Sequence, residues 1–502
     1  MIWLYLNTKD VWIVRKVKDI YNRLPLPLRA SIWFFFGAAL EKGIAFIILP
    51  VFSRLLSTEQ YGLVTLYNSW LQIVCIFTTL NLQYGSLGTA QIKFEKEKYS
   101  YSVSIQMLVM LICFIALFVV RIFSSFFQDL FKMPLYLINI MIIESWAIFV
   151  IGLWNGNKRF EYNYRSFIFV TLTVSIVTSV LGVIGVMNTK CKAEVKLFTT
   201  FGFELVMAIF LFVKILKRGT YALKKVYWEF ALKNNIPLMP YYFSKIIFNT
   251  SDKIIIAKIV GNDKAGIYGL VYMLAYAIDF IRTAINNAYG PWFYSQIKCR
   301  CGEKARAVNR SIICVLLYIY FVFIMLGPEL VWIIGGINYY EARWIIPFVS
   351  ISLLFLTMAD FACYIEFYFE KKLGLAFFTV ISALVNVILN YICIPCFGYM
   401  VASVTTLISY MVLWGGLALC ATITCKENKL SQQKYLDVSF QIKIGFVGIV
   451  LIIISVILYT VKYIRYVIII VSLIVGLIYV VKVMPNKLNQ VLENNNKKST
   501  IS

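Results

Sequence analysis

Histidine is absent from the 502 residues, and acidic side chains are half as numerous as basic ones, 24 against 48. The missing imidazole excludes Ser/His/Asp triads, His-ligated metal sites and His proton relays together. Charge of any kind is scarce: 14% of residues are charged and 61% are hydrophobic, with a mean hydropathy of +0.79. Such a chain cannot assemble the solvated surface of a water-soluble protein. A phosphate-binding Walker A sequence is also missing, which argues against ATP hydrolysis within the chain. No loop between apolar runs exceeds about 25 residues, so an extramembrane catalytic domain has nowhere to reside and an enzyme is not expected. The eleven cysteines are scattered. Cys299 and Cys301 lie in a basic loop, and Cys393 and Cys396 form a lone CxxC; without a second pair or any histidine, no metal site and no cofactor are expected.

What is present is a succession of apolar runs of about 20 residues, the length that carries a helix across a bilayer. Runs fall near 31–52, 63–84, 103–125, 135–154, 167–187, 197–216, 234–258, 265–290, 310–333, 344–368, 374–394, 398–420, 440–461 and 464–483. The expected fold class is therefore an all-α polytopic membrane protein with about 14 transmembrane helices.

Counting Lys and Arg over alternate loops gives about 33 on the side of the N-terminus and about 10 on the other. This bias places both termini in the cytoplasm. The net charge of +24 is then explained by lipid headgroups and orientation, with no nucleic acid as partner. Residues 1–30 read as a basic cytoplasmic arm carrying Lys9, Arg15, Lys16, Lys18 and Arg23, with no cleavable signal. Residues 31–216 form a first lobe of six helices, 217–233 a cytoplasmic linker, 234–420 a second lobe of six, 421–484 a two-helix appendage, and 485–502 a disordered tail.

The division into lobes rests on a repeat. The chain reads Arg54-Leu-Leu-Ser-Thr-Glu59-Gln-Tyr-Gly62 after the first run and Lys258-Ile-Val-Gly-Asn-Asp263-Lys-Ala-Gly266 after the seventh. In each copy a base ends one helix, and an acid and then a glycine open the next. Six spans separate the copies, so the halves have the same orientation, related by an axis along the membrane normal.

These turns, with Ser251-Asp252-Lys253-Ile254 and Ala265-Gly-Ile-Tyr268-Gly-Leu, resemble those of the Wzx-type polysaccharide biosynthesis flippases, in the multidrug/oligosaccharidyl-lipid/polysaccharide (MOP) exporter superfamily. The resemblance covers nearly the whole chain. It implies a MATE-like fold of two pseudo-symmetric six-helix lobes plus two C-terminal helices. It also implies alternating-access transfer of an undecaprenyl-diphosphate-linked oligosaccharide, as for O-antigen or capsule, with an H+ or Na+ gradient as energy source. Membrane lipids and the polysaccharide polymerase machinery are the further partners it implies.

Charged residues at mid-depth in a bilayer cost roughly 2.5–3.5 kcal/mol each, so they mark function or pairing. Glu41 and Lys42 lie mid-way along the first run, Lys245 in the seventh, and Asp279 and Arg282 in the eighth. Lys245, Asn249 and Asp252 share one helix face, as do Asp279, Arg282 and Asn286. Lys42, Lys245, Arg282, Asn249 and Asn286 are therefore candidates to bind the diphosphate and sugars. Glu41, Asp252, Asp279 and Asp360 are candidates for ion coupling or for ion pairs. In the competing reading, Glu41, Lys245, Asp279 and Arg282 simply pair with one another to join helices. Lys253 is expected to snorkel, and Glu366, with Asp360, is a weaker candidate for ion coupling, with a hydrated position at a cytoplasmic helix end as its competing reading. Tyr241, Tyr242, Tyr272 and Tyr276 are candidates to stack on sugars or to serve as packing aromatics. Glu144 and Glu204 remain unassigned. A small-molecule antiporter and a peptidoglycan lipid-precursor flippase are the alternative functions.

Overall fold

A computed structural model describes residues 25–219 and 223–478. Most of the expected basic arm and the whole of the expected tail lie outside the described residues. Among those residues the regular structure is entirely helical. Fourteen long helices follow in order: α1 Leu26–Leu55, α2 Thr58–Thr79, α3 Lys98–Ile122, α4 Leu135–Phe160, α5 Tyr164–Met187, α6 Lys192–Leu216, α7 Met239–Ile259, α8 Asn262–Lys298, α9 Gly302–Gly335, α10 Ile345–Tyr368, α11 Lys372–Phe397, α12 Val401–Glu427, α13 Val438–Thr460 and α14 Lys462–Ile478.

Every predicted run coincides with one of these helices, but not every helix is a spanning segment by composition. Among the described residues eleven are long and apolar enough to cross a membrane, or twelve when the bent α8 is counted as one span, so the expected count of fourteen is not confirmed. In α7, Lys245, Asp252 and Lys253 fall within every 18-residue stretch, and α14 is described over only 17 residues. Phe36, Phe114, Phe118, Val206 and Val467 are more than half exposed. Apolar surface on this scale calls for lipid as its solvent. The protein is a multi-pass membrane protein.

The chain divides into two compact units, Met1–Gly269 and Leu270–Ser502. This division differs from the lobes read from the repeat, because α7 packs along α2 and so sits with the first unit. In that unit α2, α4 and α6 pack against one another, with α5 against α1 and α6. The start of α2 explains the first repeat turn. Ser57 Oγ accepts from the Gln60 amide and Gln60 Oε1 accepts from the Ser57 amide, both at 3.2 Å. This reciprocal cap closes the N-terminus, where Glu59 also opposes the helix dipole. In the second copy Gly261 has φ +124°, a conformation that side chains rarely adopt, and Asp263 takes the acidic position. The two turns meet. A Cβ added at Gly266 would lie 2.7 Å from the Gly62 nitrogen, so the glycine recurs where one backbone passes directly over the other.

One end of the first unit is tied through Tyr99. Its hydroxyl bonds Glu161 and accepts from Arg218 at 2.6 Å and from Lys158 at 3.3 Å. Burial raises the Glu161 pKa, but hydrogen bonds from Lys158 and Tyr99 outweigh that and hold it below the usual carboxylate range. In the second unit α10 packs against α12, and α11 against α12. The expected appendage, α13 and α14, is fastened to α9. Arg465 pairs with Glu329, Tyr459 donates to the Ile324 carbonyl at 2.6 Å, and Tyr318 donates to the Ser472 carbonyl at 2.8 Å.

Candidate functional site

In the first unit, Lys42 and Lys245 are exposed and Glu41 is half-buried. None of the three forms an ion pair among the described residues, so the pairing of the competing reading does not take in Glu41 or Lys245 in this state. The face read on α7 is split by burial. Asp252 is 1% exposed and accepts from Tyr268 at 2.8 Å, inside the packing against α8. Asn249 stands one turn earlier and is half-buried. Its carbonyl accepts from Lys253 at 3.1 Å, so Lys253 folds back on its own helix rather than reaching outward. Asp252 is thus a buried acceptor, while Lys42 and Lys245 are exposed cations, Lys42 on the apolar α1 and Lys245 on the charge-bearing α7.

The second unit gathers the other four candidates. Arg282 donates to both oxygens of Asp279, with the Nη2 to Oδ2 bond at 3.2 Å, and also donates to Asp360. Asn286 donates to the same Asp360 oxygen at 2.6 Å, and Tyr364 donates to the Asn286 carbonyl at 3.0 Å. Two carboxylates thus close around one guanidinium, whose fork matches both. The spacing on α8 places Asp279, Arg282 and Asn286 together as read; Asp360 comes from α10, 78 residues after Arg282. Arg282 is an internal ion-pair partner in this state, as in the competing reading. The group carries one net negative charge, so it is not a cationic station by itself. Tyr276, Tyr320 and Tyr410 are within electrostatic range of it. Tyr272 and Tyr276 stack on each other with centroids 5.0 Å apart, whereas Tyr241 and Tyr242 are half-buried. Glu366 is 2% exposed, which overturns the hydrated position of its competing reading, since α10 is enclosed to its last turn.

Sequence reasoning missed a second charged group, inside the first unit. Tyr67 of α2 donates to Glu144 of α4, which is 4% exposed. On α6, Lys196 lies 3.9 Å above the ring of Phe52, and Glu204 stands two turns further along. Glu144, Glu204 and Lys196 are in mutual electrostatic range. Glu144 and Glu204 were visible as acids within apolar runs. Lys196 was hidden, because the sixth run was placed from 197 and the helix begins at Lys192.

Comparison with known proteins identifies the architecture. A relative encoded in the Lsg locus of Haemophilus influenzae is 22% identical over 387 residues, covering 71% of this chain and 88% of its own. Among solved structures, the Lipid II flippase MurJ in an inward closed conformation superposes with a TM-score of 0.65 at 14% identity. It covers 89% of this chain and 99% of its own. An inward-facing multidrug resistance MATE family transporter of the MOP superfamily superposes with a TM-score of 0.57 at 13% identity, over 77% of this chain and 96% of its own. These likenesses establish the MOP transporter fold. The profile of the polysaccharide biosynthesis protein family matches residues 28–297, more than half of the chain, and the chain belongs to that family.

Proposed function

We propose that this protein flips an undecaprenyl-diphosphate-linked oligosaccharide from the cytoplasmic to the outer leaflet of the cytoplasmic membrane, with both termini in the cytoplasm. The observation that carries the proposal is the exposure of Lys42 on α1 and Lys245 on α7, neither in an ion pair with a carboxylate among the described residues. A bare ammonium is costly against hydrocarbon, so each serves best lining water, where a diphosphate supplies the missing negative charge. Asn249, one turn from Lys245, offers an amide to a sugar hydroxyl. Arg282 and Asn286 join only if the diphosphate displaces Asp279 or Asp360 from the guanidinium, an exchange of one anion for another. Such an exchange couples substrate binding to a rearrangement between α8 and α10. Alternating access follows if the loaded and empty arrangements favour opposite openings. The polyprenyl tail stays in lipid while the polar head crosses.

The likeness to a Lipid II flippase supports the same class of substrate, a lipid-linked diphosphate sugar. The family match favours a surface polysaccharide unit over the peptidoglycan precursor. The test measures outer-leaflet accumulation of lipid-linked oligosaccharide in cells lacking the protein and then supplied with the natural chain, K42A or K245A. Restoration by the natural chain and a large loss in the variants is the expected result. Unchanged export without the protein points to the small-molecule antiporter, to be checked by drug efflux.

A further inference from the structure

Glu144 and Glu204 sit on neighbouring helices of the first unit, with no assigned role in holding substrate. Rises of 1.5 Å per residue put them roughly 14 and 18 Å from the starts of α4 and α6, deep in the helical layer. Glu204 Oε2 is sealed from solvent and has no hydrogen-bond partner. Lys196, the base on the same helix, makes no ion pair with either acid; its ammonium rests on the Phe52 ring instead. The only side chain that hydrogen-bonds Glu144 among the described residues is Tyr67.

An ionised carboxylate with a sealed, unpartnered oxygen bears its desolvation cost without compensation. Two carboxylates and one lysine leave a net charge of −1. A single proton cancels it and gives the group a donor. We propose that Glu144 and Glu204 form a proton-binding site that takes up and releases one H+ per cycle. In the loaded state Glu204 is a neutral acid, Glu144 keeps the Tyr67 hydrogen bond, and Lys196 balances Glu144. Release returns the proton to water as H+ and restores the net charge of −1. Lys196 also disfavours a metal cation, which would have to bind beside an ammonium.

Tyr67 and Cys75 face the site from α2, with Cys113 of α3 behind Cys75. Between Ser166 and Met187, α5 carries no titratable residue. Because α2, α4 and α6 all pack on one another, the sealed oxygen exchanges its proton when that packing loosens, so loading depends on helix arrangement. Coupling of this site to flipping rests on the proposed function; proton binding itself does not.

The test is an infrared pH titration of the full-length chain in lipid nanodiscs without substrate, read at the carbonyl stretch of protonated carboxyl groups. The reading is made in an E366Q background, because Glu366 Oε1 is also sealed without a hydrogen-bond partner; expected is one protonated carboxyl per chain persisting above about pH 6, where ordinary carboxyls are ionised. It is absent in E204Q, shifted in frequency in Y67F, and unchanged when sodium chloride replaces potassium chloride. Absence of the band from the natural chain, its survival at full size in both E204Q and E144Q, or its removal by sodium overturns the proposal. If E204Q does not fold, as judged by gel filtration and helical circular dichroism, E204D and E144Q take its place, with a shifted or lost band expected. Outer-leaflet oligosaccharide is measured in the same variants. A lost band with normal flipping overturns the coupling. A natural chain that shows the band but no flipping leaves the proton site standing and removes the flippase reading.

Discussion

The protein contains two charged groups of the same composition, two acids and one base, arranged in opposite ways. In the second unit Arg282 bonds both Asp279 and Asp360, with Asn286 adding a further donor. In the first unit Lys196 bonds neither Glu144 nor Glu204. The guanidinium is planar and carries five donors, so it satisfies two carboxylates at once. An ammonium is a compact charge that bridges separated acids less readily. Equal formal charge therefore produces a closed clasp in one place and an unfilled site in the other. One is suited to hold α8 against α10, the other to exchange a proton.

Removing the base should break the comparison most strongly. Arg282→Ala leaves Asp279 and Asp360 without their counter-charge, and loss of one partner from a buried pair typically costs about 3 kcal/mol. Thermal unfolding in detergent should show this as a clear fall in midpoint. The triple variant D279N/R282Q/D360N should recover most of it, because no uncompensated charge remains.

Amide substitutions sharpen the contrast at a single acid. Asp360→Asn weakens a charge-assisted bond to Arg282 and should cost roughly 2 kcal/mol. Glu204→Gln replaces a neutral acid that makes no ion pair by a neutral amide and should change stability by less than about 0.5 kcal/mol. If the two variants lose equal stability in the same unfolding assay, the distinction between clasp and open site fails. Between them falls Tyr67→Phe, which deletes the donor to Glu144 and should cost about 1 kcal/mol.

The smallest effect concerns a carboxylate outside the spanning helices, and it depends on pH. Burial raises the Asp437 pKa, but hydrogen bonds from Arg306 at 2.9 Å and Arg310 at 2.6 Å outweigh it and hold the group below the usual carboxylate range. A depressed folded-state value stabilises above the unfolded pKa of about 3.9 and is lost as pH falls through the folded value. Unfolding midpoints of the natural chain and D437N should therefore differ at pH 7 and converge in strong acid. A gap that persists at the lowest pH would remove Asp437 as its source.

The helical architecture was legible because lipid imposes a simple rule on apolar length, and all fourteen windows found their helices. What composition could not supply was α7 as an apolar span, since its charges depend on tertiary burial: Asp252 is enclosed by packing that brings Tyr268 to it. On α8 the shared face of Asp279, Arg282 and Asn286 followed from helical spacing alone. Their partner Asp360 did not, because nothing local links α8 to α10. Lys196 was lost to a boundary error of about one turn, enough to move a half-buried base into a loop.

The meeting of Gly62 with Gly266 bears on ancestry. The two glycines occupy the same place in the two copies of the turn motif, and a residue touching its own counterpart is the signature of a two-fold contact. A half-length ancestor carrying one copy would make this contact with a second molecule of itself. Duplication and fusion would convert that dimer into one chain while keeping the crossing point. The pair would then be constrained jointly. Enlarging either glycine closes the same gap, so the second substitution should add less than the first.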